Sequence, residues 1–127
     1  MTTTSGALDP REQDIYTLDF TPLLNAGETL ASIVAVSVSV VRGADPNPSA
    51  FLPASPVPAI NQQPVTVKTP QILSGVQQTT TIAAGCCIQG PMGGGVDGAW
   101  YEIAGEAQTT NSLRRLVCKL IVPVSAS

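Results

Sequence analysis

The sequence predicts an all-β fold: an immunoglobulin-like antiparallel β-sandwich of about seven strands with long Pro-rich and Gly-rich loops. Two observations favour it. Residues 30–41 alternate β-branched and small side chains with a period of two, as in a strand that buries one face. Short apolar alternations are separated by Gly, Pro and Asn, with no apolar repeat of a long helix. At 127 residues the chain is long enough to bury a core without metal or disulfide support.

The chain divides into two parts. Residues 1–13 are expected to form a flexible N-terminal arm, in which Asp9 and Pro10 favour an extended or turn conformation. Residues 14–127 are expected to form one sandwich domain with a Pro-rich loop over residues 43–64, where proline excludes a central strand. Three apolar residues anchor this loop: Phe51, Leu52 and Ile60. They are expected either to pack on the parent domain or to insert into a neighbouring subunit.

The remaining elements follow from the same alternation. Residues 14–20 and 30–41 predict the strands before the Pro-rich loop, the first with an aromatic inner face. The strands after the loop are predicted over residues 65–67, 71–73, 76–88, 100–109 and 116–124. Gly85 marks a bulge or bend. A Gly-rich hairpin loop over residues 90–98 carries two candidate partner contacts, Met92 and Val96.

No constellation for catalysis is recognisable. The chain has no histidine, which removes Ser-His-Asp and Cys-His catalysis and the commonest metal ligand together. Cys86, Cys87 and Cys118 lack zinc-site spacing and are expected to be reduced, buried hydrophobes, the alternative being a bridge from the third to either of the first two. Glu102 and Glu106 are about 13 Å apart along one strand, too far for a glycosidase pair. The sequence therefore predicts no enzyme, no cofactor and no metal site.

Charge and hydropathy exclude two classes of partner. The net charge is −3 and only six residues are basic, too few to neutralise many phosphates of a nucleic acid. No apolar run approaches the ~20 residues that span a bilayer, and no secretory signal is recognisable, so a cytoplasmic product is expected. Charged residues make up 12% of the chain, against about 25% in soluble domains, which favours a surface covered by other proteins.

Two parts of the chain resemble a family of tailed-bacteriophage proteins. Residues 9–12 (DPRE), 16–24 (YTLDFTPLL) and 27–32 (GETLAS) resemble the opening of the fiber-tail adaptor proteins. Those proteins begin with a D-P-x-E segment, a short strand ending in D-F/W-x-x-W/L-L, and a G-E/D-T-I-x-S turn before a Val/Ser-rich strand. Residues 98–103 (GAWYEI) and 107–111 (AQTTN) are similar to the family's later G-x-x-Y-x-I…A-x-T-S-x-G-R hairpin, and Arg114 and Arg115 stand near where its basic residue and closing strand would begin.

The resemblance implies a non-enzymatic structural virion protein that joins tail or neck to fibers. It implies other phage virion proteins as partners, an oligomeric arrangement in the particle, and synthesis in the cytoplasm of the bacterial host. The alternative is a capsid decoration (cement) protein that binds the major capsid protein. Partner contacts are expected on the arm and on the two long loops, at Asp9, Pro10, Phe51, Leu52, Ile60, Met92 and Val96.

A carbohydrate-binding module is an alternative from a different class. It would use the neighbouring aromatic residues Trp100 and Tyr101. Adjacent residues of a strand point to opposite faces, so the two rings are not expected to form one stacking platform. Glycan binding that depends on Trp100 would revive this alternative.

Overall fold

The computed structural model describes residues 2–126, with the backbone alone for residues 70–72. This part of the chain folds as an all-β sandwich of the immunoglobulin-like kind, which confirms the predicted fold class. Its strands are β1 (Thr2–Thr4), β2 (Gln13–Asp19), β3 (Leu30–Arg42), β4 (Ala59–Ile60), β5 (Val65–Leu73), β6 (Val76–Ile82), β7 (Cys87–Gly93), β8 (Trp100–Thr109) and β9 (Arg115–Pro123). Two single-turn 3₁₀ helices lie at Thr21–Leu23 and Pro48–Phe51.

Two sheets form the layers of the sandwich. The first has four strands in the order β1-β9-β8-β3, and the second has three in the order β2-β7-β4. Neighbouring strands run antiparallel except β1 and β9, which are parallel. In the part of the chain that the structure describes, strands β5 and β6 pair only with each other and form a separate hairpin. The sheet order therefore leaves β3 at one edge of the larger sheet.

The core lies between the two sheets and contains the inward side chains of the alternating strands. Along β8, every second residue from Tyr101 to Thr109 is buried, and the residues between them are half-buried on the outer face. Tyr16, Leu18 and Phe20 are each at most 1% exposed, which confirms the aromatic inner face predicted for the first strand. Period-two alternation thus identified the strands that line the core.

The N-terminal segment expected to be a free arm lies on the domain. β1 pairs with β9, the Leu8 amide donates to the Pro123 carbonyl at 2.9 Å, and the Leu8 side chain is 5% exposed. The Asp9 carboxylate accepts the Arg11 amide and forms an ion pair with its guanidinium at 3.0 Å, while Glu12 accepts the Asp9 amide. The Thr-rich start of this segment predicted a flexible arm. Backbone pairing with β9 and the buried Leu8 side chain instead attach it to the domain.

The predicted strand boundaries are wrong just after the Pro-rich loop. The two short strands expected over residues 65–67 and 71–73 are one continuous strand, β5. Its pairing with β6 shifts register between Lys68 and Ile72, the stretch that contains Pro70. A register shift lets a paired strand continue past a residue that has no amide donor.

The boundaries around β7 also differ from the prediction. The strand expected over residues 76–88 is two strands, β6 and β7, separated by a turn in which Gly85 adopts a φ of +79°, so of the bulge or bend predicted at Gly85 the bend is observed. The Gly-rich loop expected over residues 90–98 is shorter, since β7 continues through Pro91 to Gly93. At Pro91 only β2 lies beside β7, because β4 is two residues long, so a residue without an amide donor is tolerated there.

The turn before β3 is tied to the β8–β9 hairpin through Glu28. Its carboxylate accepts hydrogen bonds from the Asn25 amide at 3.0 Å and the Thr109 hydroxyl at 2.8 Å, and it pairs with the guanidinium of Arg114. Arg114 also donates to the Leu23 carbonyl at 2.9 Å. The Asn25 amide above all, helped by Thr109 and Arg114, lowers the pKa of the Glu28 carboxyl below its usual range.

Replacing Glu28 with Gln is expected to make the fold less sensitive to acid. Since the folded pKa is lowered, the Glu28 charge contributes stability that is fully present above the unfolded value of about 4.3 and lost as pH falls through the folded value. Urea unfolding should therefore show a smaller loss of unfolding free energy between neutral pH and about pH 3 in Glu28→Gln than in the natural chain. The control Glu102→Gln removes a longer 3.7 Å ion pair with Lys119 and should resemble the natural chain. Equal losses in natural chain and Glu28→Gln would contradict this role.

Gly90 is expected to be important for stability because the ring of Tyr16 lies against its backbone. A Cβ at Gly90 would overlap with the hydroxyl and ring of Tyr16, and Tyr16 is 1% exposed, with burial raising its pKa to about 12. Gly90→Ala should lower the free energy of unfolding by about 1–3 kcal/mol, as overpacking of a core does. The control Gly6→Ala, where a Cβ meets nothing within 4 Å, should leave it nearly unchanged. Equal stability of the two variants in denaturant unfolding would show that the Tyr16 ring moves aside freely.

Candidate functional site

The groups most able to do chemistry are the three thiols and the two glutamates of β8. The thiols are buried, and the glutamates form ion pairs. Residues 2–126 contain no group of three His, Cys, Asp or Glu side chains placed as metal ligands would be. The three cysteines are free and buried. Burial raises the pKa of Cys87 to about 12 and that of Cys118 to about 11, so both remain thiols at neutral pH. Glu102 and Glu106 each pair with a cation of β9, at 3.7 and 3.8 Å.

The neighbouring aromatic residues of β8 lie on opposite faces of the sheet. Trp100 is half-buried on the outer face, with the guanidinium carbon of Arg42 4.4 Å from its ring centroid. Tyr101 is fully buried in the core. The two rings therefore do not form one platform on which a sugar stacks.

The Pro-rich and Gly-rich loops meet at Tyr101. Its hydroxyl donates to Asp45 Oδ2 at 2.5 Å and accepts the Val96 amide at 2.9 Å. Burial and then the hydrogen bond to Asp45 raise the pKa of Tyr101. Phe51 stacks on the Tyr101 ring, with centroids 4.1 Å apart and planes inclined by 5°. A Cβ at Gly95 would lie 3.0 Å from Phe51 and 3.1 Å from Tyr101, so the absence of a side chain permits this close packing.

The three apolar anchors of the Pro-rich loop pack on their own domain. Phe51 is 1% exposed, and Leu52 is half-buried against the same core. Ile60 lies in β4 opposite Ile88 of β7 and is also half-buried. Of the two alternatives left open by the sequence, packing on the parent domain is the one observed, because stacking on Tyr101 and pairing with β7 use these side chains within the chain.

The other candidate contacts differ in exposure. Asp9 and Met92 are each 6% exposed, because Asp9 caps the turn into β2 and Met92 faces the core from β7. Pro10 is half-buried in the same turn as Asp9. Val96 is 41% exposed and, of these four, is the one that presents an apolar side chain to solvent. Asp9 and Met92 are thus parts of the fold and not of a free contact surface.

The most prominent free surface is one edge of β3. Among residues 2–126 this strand is hydrogen-bonded to β8 on one side and to no strand on the other, and β4 and the 3₁₀ turn at Pro48–Phe51 are its other close neighbours. Apart from the Leu30 amide, which donates to the Gly85 carbonyl, no backbone hydrogen bond among the described residues reaches that side. Residues 35–40 pair with β8 without a register shift, and none of them is charged or proline. Natural edge strands usually carry such residues to prevent further pairing, so this stretch, here called the β3 edge, lacks protection by charge or proline.

The side chains of the β3 edge differ between its two faces. Val36, Val38 and Val40 are half-buried and pack against the margin of the core. Ser37 and Ser39 are exposed on the outer face. A strand added beside β3 would bond the free backbone groups and cover the valines at once, which is how extended segments dock on sheets. The β3 edge is therefore the candidate docking site.

The β5–β6 hairpin is a second exposed feature, here called the finger (residues 65–82). Its base packs on the domain through Val65 and Ile82, and its two strands pair with each other and with no other strand of residues 2–126. Towards the tip the side chains are exposed, Leu73 by 57% and Val76 by 61%. A two-stranded hairpin without further contacts is marginally stable in water, so this feature favours a partner that covers it.

Comparisons with protein-family models, with curated proteins and with solved structures find no match to the chain. The resemblance to the fiber-tail adaptor proteins therefore rests on the sequence motifs alone. Within residues 2–126, every helix is too short to cross a membrane.

Phe51→Ala is expected to lower the unfolding free energy of the isolated chain by about 3–5 kcal/mol, because it removes a buried ring that stacks on Tyr101. Val57→Ala, in the same loop at a side chain 74% exposed, should change it by less than about 0.5 kcal/mol. Urea unfolding measures both variants. An unchanged stability of Phe51→Ala would show that the ring serves a partner and not the core.

Proposed function

We propose that this chain is a structural docking protein of a tailed-bacteriophage particle, a non-enzymatic joint between tail or neck subunits and fibers. The observation that carries the proposal is the β3 edge, six paired residues long and without charge or proline. Such an edge is an aggregation hazard in a protein that works alone. It becomes useful when a strand of another virion protein completes the sheet.

Both ends of β3 are held in a fixed position, which suits a docking strand. Glu28, just before the strand, bonds the Thr109 hydroxyl and pairs with Arg114. Asp45, just after it, accepts the hydroxyl of Tyr101. A strand held at both ends loses little conformational freedom when a partner binds, so more of the contact energy appears as affinity.

Two of the segments that carry the family resemblance lie at the beginning of β3 and beside it. Residues 27–32 contain Glu28 and the start of β3, and residues 107–111 contain Thr109, its hydrogen-bond partner. The Thr110 amide also donates to the Thr29 carbonyl at 2.8 Å. The matched motifs thus build the beginning of the candidate docking strand, and the resemblance supports a virion role for it.

The β3 edge also limits the chemistry of its partner. Its backbone groups require an extended segment, and its half-buried valines favour alternate apolar side chains on that segment. No cation or anion lies along residues 35–40, so the partner strand needs no complementary charge there. We expect this segment to come from a tail, neck or fiber subunit.

Lysines on the β3 edge should prevent docking. Lysine at an edge strand blocks the approach of another strand, so Ser37→Lys combined with Ser39→Lys should reduce the amount of chain in purified phage particles by at least about 10-fold. The control Ile121→Lys places a lysine on the outer face of the same sheet, where β8 and β1 already flank β9. It should enter particles like the natural chain.

Quantitative mass spectrometry of the particles gives the readout, and equal unfolding midpoints of the purified variants exclude loss of fold. About a dozen natural chains per particle agrees with a joint at the tail or neck, which is built as a closed ring. Hundreds of copies would instead indicate the capsid decoration protein. Normal incorporation of the double lysine variant, or absence of the natural chain from particles, would contradict the proposal.

A further inference from the structure

An open groove of about 500 Å³ lies beside β2 and β7, on the outer face of the three-stranded sheet. Ile15 from β2, Pro91 from β7 and Val57 from the Pro-rich loop provide its apolar lining. Ile15 is 62% exposed and Val57 74%. Large apolar side chains that lie together and remain exposed mark interaction sites more often than single exposed residues do.

The tip of the finger has a shape and character that match this groove. Leu73 and Val76 flank the tight turn formed by Ser74 and Gly75, whose φ angles are +53° and +75°. Both apolar side chains are more than half exposed. The tip is therefore narrow and apolar, whereas the groove is open and apolar.

Charge distinguishes the finger from the rest of the chain. Its single ionisable side chain is Lys68, so the finger carries +1 and the rest of the chain −4 of the net −3. The groove lining contains one ionisable side chain, Asp14. Neither Lys68 nor Asp14 forms an ion pair within residues 2–126, whereas the other five cations each have an acidic or aromatic partner there. Two copies of this acidic chain therefore attract each other best when the finger of one copy approaches the acidic remainder of the other.

We propose that the finger tip of one copy inserts into the groove of a second copy. Leu73 and Val76 would bury themselves against Ile15 and Val57, and the positive charge of Lys68, farther along the finger, would favour approach to the acidic remainder of the second copy. Because the tip and the groove are different surfaces, the contact is head-to-tail, and its repetition gives a closed ring or an open filament. Each finger would also gain the covering layer that a bare two-stranded hairpin lacks.

This inference deepens the proposed function, on which its place in a particle rests, by naming a second copy of the chain as one partner. It uses a surface separate from the β3 edge. The β3-edge variant Ser37→Lys with Ser39→Lys should therefore associate with itself like the natural chain, even where it fails to enter particles. Failure of one proposal is thus distinguishable from failure of the other.

The first test is the mass of the purified chain over a range of concentrations, by sedimentation and native mass spectrometry. The natural chain should form oligomers. A tip variant, Leu73→Asp with Val76→Asp, and a groove variant, Ile15→Asp, should each associate at least about 10-fold more weakly, because docking would bury an unpaired carboxylate. The control Leu113→Asp changes a side chain that is 92% exposed in the β8–β9 turn, and it should associate like the natural chain.

The second test mixes the two defective variants. The tip variant retains an intact groove and the groove variant an intact tip, so the mixture should form a heterodimer that stops at two chains. Charge reversal gives an independent check: Lys68→Glu should weaken association at low salt, because the finger would then repel the acidic remainder of the second copy. A natural chain that stays monomeric up to about millimolar concentration, or a mixture that yields no heterodimer, would overturn the inference. Loss of association in Leu113→Asp would do so as well.

Discussion

Strand β3 is anchored by carboxylates that lie just outside both of its ends. Glu28 bonds an amide, a hydroxyl and a guanidinium before the strand begins, and Asp45 accepts the Tyr101 hydroxyl after it ends. Between these points the strand pairs with β8 on one side, and no strand of the described part of the chain, residues 2–126, pairs with its other side. The position of the free edge is therefore set by pairing with β8 along the strand and by side-chain contacts at both of its ends. A surface fixed before binding loses less freedom on docking.

Contacts with Tyr101 also fix the positions of the Pro-rich and Gly-rich loops. Phe51 brings the Pro-rich loop onto the Tyr101 ring, and Val96 brings the Gly-rich loop to the Tyr101 hydroxyl. Gly95 permits the approach because a Cβ there would be only 2.8 Å from Val124 Cγ2. Proline fixes φ and glycine permits close contact, so both compositions serve packing at this end of the sandwich.

The sequence allowed the layered β-fold to be predicted because alternation of side chains is a local property. It identified the buried face of Tyr16 and Leu18 and the outward position of Glu102 and Glu106. It did not show that Phe51 is buried, since the ring that covers it lies fifty residues further along the chain. The same limit applies to the candidate site. Alternation predicts a strand over residues 30–41, but which strands neighbour it depends on sheet order, which periodicity does not encode.

The account rests most directly on the β3 edge being occupied in the assembled particle. Cryo-electron microscopy of particles that contain this chain would show the edge and its surroundings together. The account predicts an extended segment of another virion protein hydrogen-bonded alongside residues 35–40 of each copy, at the junction of tail or neck with fibers. A chain placed in the particle with residues 35–40 facing solvent would contradict it.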